Sequence, residues 1–386
     1  MQVSLWEKES FYRPADVIII GIGFAGLWTA LELKKKKPKL NILMVDRGIV
    51  PTGASTRNAG FSCFGSLTEL LYDAKIFGEE KMLKLATLRY AGLRHIQETF
   101  KAKEIDYEQV GGYELFEENG SYDEHSLKHD VKALNKILKE TFEEDDIFRI
   151  ADKKISKFGF RGITHLVENK LEGSLHSGKL TQALLEQVQQ QGVRTLFGFE
   201  VNSLEKMNDG VVVRNASGVE LAAGKVIICT NAFTQNLLPD LSVIPARGQV
   251  LVTSRIPDLP FKGCFHLDEG FIYFRNLGKR VLLGGARNKF FDEEATVDLT
   301  ISDNIQHELE RLLSDIILPG RTDYTIEHRW SGIMGMGEDK MPTVLEIQPG
   351  IYCAVAMGGI GVAMAPVVAK QVTELALEKK KVSAAH

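Results

Sequence analysis

The chain has 386 residues, enough for two or three domains, and its composition (44% apolar, 25% charged) is that of a globular protein. These values exclude a wholly disordered chain. The formal net charge of −4 leaves no basic excess for contacts to phosphates, so we expect no nucleic-acid partner. The four cysteines occur singly, without the paired spacing of zinc sites, and we expect no metal.

The first residues, MQVSLWEKESFYRPAD, lack the basic start and apolar run of a signal peptide. Apolar stretches are interrupted before the ~18 residues that a membrane span needs. We therefore expect no transmembrane segment and a cytoplasmic location.

The predicted elements begin with a buried strand over 16–20, a helix over 24–37 and a second strand over 41–46. The lysines at 34–37 suit a helix C-terminus, where the helix dipole is negative. We interpret this run, and the lysines at 379–381, as solvated helix ends.

Further helices are predicted over 79–101, from Ser177 to a C-cap at Gly192, over 302–317 with Ser302 as N-cap, and over 363–378. Predicted strands cover 199–206, 211–215, 225–230, 248–255 and 271–285, the last with a turn at 276–278. Helices alternate with strands at both ends, and strands dominate the middle. This order favours two domains threaded into each other.

Residues 21–26, GIGFAG, carry the GxGxxG pattern between the first strand and the first helix. Gly21 would make the tight turn, Gly23 would let the backbone approach a pyrophosphate, and Gly26 would let helix and strand pack closely. Asp46, twenty residues after Gly26, would accept hydrogen bonds from a ribose. The pattern predicts a dinucleotide site but does not choose between NAD and FAD.

Two further glycine-rich segments favour FAD, whose flavin ring must lie far from the first turn. Residues 53–61, GASTRNAGF, follow the second strand and offer small residues and hydroxyls. Residues 358–362, GGIGV, precede the last helix, and Pro366 would fit its first turn. A second GxGxxG is absent from the sequence, so we expect electrons to come from the substrate and not from a nicotinamide.

These blocks, in this order, resemble the D-amino-acid oxidase-like (DAO) FAD-dependent oxidoreductases, nearest the gamma-glutamylputrescine oxidase and glycine oxidase branches. The most specific block is GASTRNAGF. The others are SLWE at 4–7, VDR at 45–47, GSLH at 173–176, VIICTNA at 226–232, PARGQ at 245–249, WSG at 330–332 and GGIGVAMAP at 358–366.

The resemblance implies an α/β fold in which a Rossmann-like FAD-binding domain is interleaved with an α+β, mixed-sheet substrate domain. The expected ranges are 1–90, 160–240 and 335–386 for the FAD domain and 91–159 and 241–334 for the substrate domain. FAD would be bound non-covalently. The implied cofactor-binding residues are Gly21, Gly23, Phe24, Ala25, Gly26, Asp46, Arg47, Ala54, Ser55, Thr56, Asn58, Ala59, Gly60, Phe61, Val201, Gly359, Ile360, Gly361 and Val362.

The family's reaction oxidises the C–N bond of an amine or amino acid by hydride transfer to flavin N5, and the resulting imine hydrolyses. Tyr273 and Arg275, on one face of a strand, and Arg287 are candidate catalytic residues on the substrate side. Tyr273 could orient the substrate, and either arginine could pair with a carboxylate. Core packing for the tyrosine and structural ion pairs for the arginines are the alternatives.

Three departures from the family's pattern bear on the substrate and the electron acceptor. Met334 stands where glycine-oxidase-like members carry a carboxylate-binding Arg. Ser331 and Gly332 stand near where sarcosine-oxidase-like members carry a flavin-linked Cys, and Leu282 where a Lys serves oxygen chemistry. They argue against a small amino acid held by that Arg, a covalent flavin at that site, and efficient reaction with oxygen.

The acceptor is therefore either oxygen or another electron acceptor. An FAD-dependent dehydrogenase of a hydroxy acid, passing electrons to a quinone or carrier protein, is the alternative function. A tRNA-modifying flavoprotein is disfavoured by the charge.

Overall fold

The computed structural model describes residues 2–120 and 122–378; the lysines at 379–381 lie outside these residues. The described helices are α1 (Leu5–Glu9), α2 (Phe24–Lys36), α3 (Ala54–Arg57), α4 (Leu67–Phe77), α5 (Glu79–Thr99), α6 (Glu124–Phe142), α7 (Ile155–Phe158), α8 (Ser177–Gln190), α9 (Phe291–Glu294), α10 (Asp303–Leu312) and α11 (Gly361–Leu377).

The described strands alternate with these helices along the chain. They are β1 (Ala15–Ile20), β2 (Ile42–Val45), β3 (Phe61–Ser62), β4 (Gly112–Glu117), β5 (Phe148–Ile150), β6 (Ile163–Asn169), β7 (Gly173–Ser174), β8 (Arg194–Leu196), β9 (Val201–Met207), β10 (Gly210–Asn215), β11 (Glu220–Ile228), β12 (Ile244–Thr253), β13 (Cys264–Leu267), β14 (Ile272–Leu277), β15 (Arg280–Gly285), β16 (Ile326–Met336), β17 (Thr343–Gln348) and β18 (Ile351–Val355).

The chain divides into two compact units. Unit 1 comprises 1–56, 181–244 and 335–386; unit 2 comprises 57–180 and 245–334. The predicted FAD domain also included 57–90 and 160–180, which lie in unit 2. The ranges predicted for the two domains, and the role given to each range, stay predictions.

Unit 1 is built on a sheet in the order β17-β18-β11-β1-β2-β8, with β10 and β9 continuing from β11. Strand β1 pairs in parallel with β2 on one side and β11 on the other, and β11 pairs in parallel with β18. Their runs of Val, Ile and Leu are buried because helices cover parallel sheets. Helices α2 and α11 pack against each other.

The predicted strand–helix–strand opening is confirmed, with bounds within two residues. Helix α11 begins earlier than predicted, at Gly361, so Pro366 lies in its second turn and not in its first. The missing N–H of Pro366 removes one bond within the helix.

Helix α11 also bears on the expectation of no membrane span. Residues Gly358–Leu377 are long and apolar enough to cross a membrane by length and composition, and 56% of the most apolar window is buried inside the protein. A helix that is mostly buried in a protein core also meets these criteria of length and composition. Localisation stays a prediction.

Unit 2 contains an eight-stranded mixed sheet in the order β16-β12-β15-β14-β13-β4-β6-β5. Side chains alternate between its two faces. One face carries Phe265, Phe274 and Leu283 into a core completed by Ile305 and Leu309 of α10. The other face carries, on successive strands, Glu114, His266, Tyr273, Gly284 and Val250. Because this face mixes ionisable groups with glycines, it is the candidate site face.

Several elements of unit 2 follow the prediction. The stretch 271–285 forms the hairpin of β14 and β15, and Ser302 caps α10 by accepting a hydrogen bond from the backbone N of Ile305. The end of the predicted helix 302–317 widens into a π-helical turn at Leu313–Ile317. The α/β class is confirmed.

Candidate cofactor and substrate sites

The glycines of the first turn are required by close backbone contacts in unit 1. Gly21 has φ +104°, and a Cβ placed there would lie 2.7 Å from the carbonyl O of Cys229. A Cβ at Gly26 would lie 2.0 Å from the carbonyl O of Gly21. A Cβ at Gly23 would lie 2.9 Å from Ser55 Oγ. No larger residue fits these three positions without moving the backbone or Ser55.

The N-terminus of α2 starts at Gly23, which has no side chain to cap it. Instead, the backbone N of Phe24 donates to Ser55 Oγ at 2.8 Å. Ser55 lies in α3 with Ala54 and Thr56, and the Thr56 hydroxyl donates to the carbonyl O of Pro51 at 2.7 Å. The first-turn amides of α2, including that of Ala25, form the donor set expected for phosphates.

Asp46 follows β2 and faces the glycine turn. Its Oδ2 accepts from the backbone N of Ile22 at 2.8 Å, and its Oδ1 accepts from the backbone N of Gly48 at 2.8 Å. The carboxylate therefore holds two backbone segments in place. Each oxygen has a second lone pair with which it can accept from a ribose hydroxyl.

Two further predicted cofactor-binding residues, Arg47 and Val201, lie near the end of β2. The backbone N of Phe199 donates to the carbonyl O of Asp46 at 2.8 Å, which brings the chain leading to Val201 alongside this strand. The guanidinium of Arg47 lies 3.7 Å from the ring centre of Phe233. This cation–π contact fixes the side chain of Arg47.

The late glycine-rich segment forms a tight turn after β18. Gly358, Gly359 and Ile360 form a short 3₁₀ turn, and Gly361 and Val362 begin α11. Ile360 is the N-cap and makes no side-chain capping bond. The turn is entered through Ala356, whose φ of +60° is unusual for a residue with a Cβ.

In unit 2, the second half of GASTRNAGF is fixed by side chains. Asn58 Oδ1 accepts from the backbone N of Gly60 at 2.8 Å and from Ser177 Oγ at 2.5 Å. Arg275 Nε donates to the carbonyl O of Ala59 at 2.7 Å, and Arg275 Nη2 to that of Leu175 at 3.0 Å. Arg275 is thus buried on backbone carbonyls, next to the segment that leads into Phe61.

The ring of Tyr273 lies across the site face of unit 2, over two glycines of neighbouring strands. A Cβ at Gly284 would lie 2.7 Å from Tyr273 Cε2; one at Gly248 would lie 3.8 Å from its hydroxyl and 3.3 Å from Met334 Cε. Burial raises the pKa of Tyr273 to about 12. The hydroxyl therefore stays protonated at neutral pH and can donate a hydrogen bond beside Met334.

Arg287, the second predicted catalytic residue, lies two residues after the end of β15. Burial lowers its pKa, and its charge is close enough to Tyr273 that each influences the pKa of the other. Its guanidinium lies 4.7 Å from the ring centre of Phe291 and, within the described ranges, makes no ion pair. Of the three predicted catalytic residues, Tyr273 and Arg287 interact electrostatically, while the guanidinium of Arg275 donates to backbone carbonyls.

A buried pair on the same face escaped the sequence analysis. His266 Nε2 lies 3.5 Å from Glu172 Oε2, and Glu172 Oε1 accepts from the backbone N of Phe64 at 3.1 Å. Phe61 contacts the rings of both His266 and Tyr273 edge-on, with centroids 5.2 and 5.7 Å apart. Nothing in the spacing of these residues along the sequence indicates this cluster.

The residues of unit 1 fit a dinucleotide. The three glycines allow backbone contacts closer than any Cβ would permit, the other first-turn amides of α2 supply phosphate donors, and Asp46 supplies a ribose acceptor. Among residues 2–120 and 122–378, no group of three or more His, Cys, Asp or Glu side chains could hold a metal ion.

The family model described as "FAD dependent oxidoreductase" (DAO) matches residues 16–375. A probable oxidoreductase OrdL of Rhizobium meliloti is 25% identical over 95% of this chain and 84% of its own length. L-2-hydroxyglutarate dehydrogenase of Escherichia coli is 23% identical over 77% of this chain and 72% of its own.

Solved structures share the fold at low identity. L-proline dehydrogenase from P. horikoshii has a TM-score of 0.75 at 17% identity, with 95% of each chain covered. Glycine oxidase from Geobacillus kaustophilus has a TM-score of 0.74 at 19% identity, with 96% of each chain covered.

Proposed function

The chain belongs to the DAO family of FAD-dependent oxidoreductases, and we propose that it oxidises the C–N bond of an amine or amino acid. In this reaction the C–H bond next to nitrogen breaks and its electron pair leaves with the hydrogen as hydride. Bound FAD supplies the acceptor for that hydride. The nitrogen loses a proton to solvent, and the imine takes up water to give a carbonyl compound and a free amine.

The observation that supports this proposal is the buried Tyr273 hydroxyl on the site face of unit 2, near Gly248 and Met334, where the charge of Arg287 acts on its pKa. The protonated hydroxyl can donate to a polar group of the substrate, and Arg287 can hold a carboxylate. Met334 makes the neighbouring surface apolar. This arrangement suits a substrate whose charge is remote from the oxidised carbon better than it suits glycine.

We further propose that FAD is held without a covalent bond. The block Trp330–Gly332 contains no cysteine, and burial raises the pKa of Cys229 and of Cys264 to about 12, so these thiols stay protonated. Purified protein should be yellow and should release its flavin on denaturation by acid or heat. Flavin that stays with the denatured chain would contradict the non-covalent part alone, whereas protein that takes up no FAD would contradict the cofactor.

The reaction is tested by mixing the FAD-loaded protein with substrates without oxygen and following the bleaching of flavin absorbance. We expect longer amines, γ-glutamyl amines or N-substituted amino acids to reduce the flavin faster than glycine or sarcosine. The proposal is wrong if no amine or amino acid reduces the flavin while another class of compound does.

A hydroxy-acid dehydrogenase is the second candidate, favoured by the similarity to L-2-hydroxyglutarate dehydrogenase and by Leu282. A panel of 2-hydroxy acids in the same assay distinguishes the two. Reoxidation of the reduced protein by oxygen or by a soluble quinone then identifies the electron acceptor; we propose that oxygen is the slower one.

A further inference from the structure

Three parallel strands of unit 1 end at one edge, and the chain turns sharply after each. Ile20 of β1 pairs with Ile228 of β11, and Ile228 pairs with Cys353 of β18. Ligands of open α/β sheets bind beyond the carboxyl ends of such strands. The turn after β1 is the glycine turn, the turn after β18 is the late glycine-rich segment, and the turn after β11 lies between them.

The turn after β11 contacts both of its neighbours. The carbonyl O of Cys229 lies where a Cβ at Gly21 would fall, at 2.7 Å. Two residues later, Asn231 Oδ1 accepts from the backbone N of Ala356 at 3.1 Å. The Asn231 carbonyl O accepts from the Thr234 hydroxyl at 2.7 Å, which holds the residue from its own side.

Both partners of this hydrogen bond have backbone conformations that residues with a Cβ rarely adopt. Asn231 has φ +47° and Ala356 has φ +60°. Asparagine tolerates this region better than other residues with a Cβ, but alanine gains nothing from it. Such strain persists only where surrounding contacts impose it, and it is concentrated at functional sites. The bond from Asn231 is one such contact for Ala356.

The surroundings of Asn231 leave its side chain little freedom. A Cβ at Gly335 would lie 2.6 Å from Asn231 Oδ1, so the chain at residue 335 passes directly against the amide. A glycine there allows this approach. The amide is therefore held in the position from which it reaches Ala356.

We propose that Asn231 is a positioning residue for FAD: its side chain fixes the turn 356–361 so that the backbone at the start of α11 meets the flavin. This inference rests on the proposed function and on the binding of FAD by Gly359, Ile360, Gly361 and Val362, which the sequence resemblance implies. In this role Asn231 acts by accepting the hydrogen bond from Ala356 and does not contact the substrate.

Three substitutions separate the backbone role of Asn231 from the role of its side chain. Asn231→Gly keeps a residue that accepts φ +47° but removes the acceptor. Asn231→Asp keeps the tolerance of a positive φ and the hydrogen-bond acceptor. Asn231→Ala loses both properties. FAD binding to apoprotein, measured by quenching of flavin fluorescence, should weaken about tenfold in Asn231→Gly, as expected for one partly buried hydrogen bond, and more in Asn231→Ala. Asn231→Asp should bind nearly as the unchanged chain does.

Asn215→Gly is the matched control. Asn215 Oδ1 also accepts a backbone N–H, that of Val219 at 2.9 Å, but in the turn between β10 and β11. It should leave FAD affinity unchanged even if it lowers the melting temperature of the apoprotein. If Asn231→Gly binds FAD as tightly as Asn215→Gly does, the inference is wrong.

Gly361→Val tests the underlying placement separately. Gly361 has φ −61°, and a Cβ there would meet only Met357 Cβ at 3.7 Å, so the apoprotein should fold. If Gly361→Val binds FAD normally, the proposed flavin placement fails. If Gly361→Val is impaired while Asn231→Gly is not, the placement holds and the role of Asn231 is refuted.

Discussion

The ring of Tyr273 rests on Gly284 of the neighbouring strand: the two residues are paired in register, and a Cβ at 284 would come within 2.7 Å of Tyr273 Cε2. The same Cβ would come within 2.5 Å of Val250 Cγ1 and 2.9 Å of the Gln249 carbonyl O. The glycine therefore sets where the tyrosine hydroxyl lies.

Gly284→Ala should displace Tyr273 and slow flavin reduction by substrate by about tenfold or more, since displacement of a positioning group by even 1 Å is costly. FAD affinity should be unchanged, because Gly284 lies in unit 2, whereas the glycine turn belongs to unit 1. Gly178→Ala is the control, since its Cβ would meet only the exposed His176 ring at 3.2 Å. Equal rates for the two variants would show that Tyr273 does not orient the substrate.

Asp46→Ala should weaken FAD binding by about ten- to a hundredfold, the effect of losing a charge-assisted hydrogen bond. Asp46→Asn should weaken it less, because one amide oxygen still accepts a hydrogen bond. The control is Asp16→Ala, whose Oδ2 accepts from the backbone N of Asn41 at 2.7 Å at the opposite end of β1. Titration of each apoprotein with FAD measures the affinity of the three variants. Equal affinity of Asp46→Ala and Asp16→Ala would refute the assignment of Asp46 to the ribose.

His266 should make stability depend on pH. Burial disfavours the charged imidazole, but Glu172 at 3.5 Å, with Glu114 and Glu69 farther away, outweighs burial and raises the pKa of His266. A raised pKa in the folded state stabilises the fold at pH below the unfolded value of about 6.5, and this stabilisation is lost as pH rises through the folded value.

Urea unfolding should therefore show that His266→Gln loses more stability relative to the unchanged chain at pH 5.5 than at pH 9. Burial also raises the pKa of Glu114, and this shift likewise stabilises the fold at low pH. The variant and the unchanged chain are therefore compared with each other at each pH. Glu172→Gln should remove most of the difference contributed by His266. If His266→Gln loses the same stability at both pH values, the pKa of His266 does not change on folding and this prediction is wrong.

The glycine turn of unit 1 could be predicted because its parts are adjacent in the sequence: strand, GxGxxG, helix and acidic residue within about 30 residues. The hydrogen bond between Asn231 and Ala356 spans 125 residues and depends on two strands being neighbours in the sheet. No local pattern carries that information. The only local sign is the asparagine itself, which tolerates a positive φ.

The substrate side was predictable only in part for the same reason. The alternation along β14 places Tyr273 and Arg275 on one face, as expected. However, the acceptors of Arg275 are carbonyls 216 and 100 residues away, and periodicity within a strand cannot reveal them. Strands β4, β6 and β13 also went unpredicted, because strands buried on both faces lack the polar alternation that marks a half-exposed one.

Arg287 and Arg275 should respond differently to substitution, because their surroundings differ. Arg287 makes no ion pair within the described ranges, so Arg287→Ala should raise KM for carboxylate-bearing substrates by about ten- to a hundredfold. It should change KM little for amines without a carboxylate, and the fold should remain stable. Arg275→Ala leaves the carbonyls of Ala59 and Leu175 without their donors in a buried place, which should cost at least about 2 kcal/mol of unfolding free energy.

For each variant, KM is measured with a series of substrates that carry a carboxylate and a series that lack one. Urea unfolding gives the free energy of unfolding of the same variants. Arg287→Lys should partly restore KM because it keeps the charge, although it loses the bidentate geometry. If glycine or sarcosine proves the best substrate and Arg287→Ala leaves its KM unchanged, Arg287 does not bind the substrate. If Arg275→Ala unfolds at the same urea concentration as the unchanged chain but raises KM, the two arginines have exchanged roles, and the carboxylate lies nearer Phe61 than Met334.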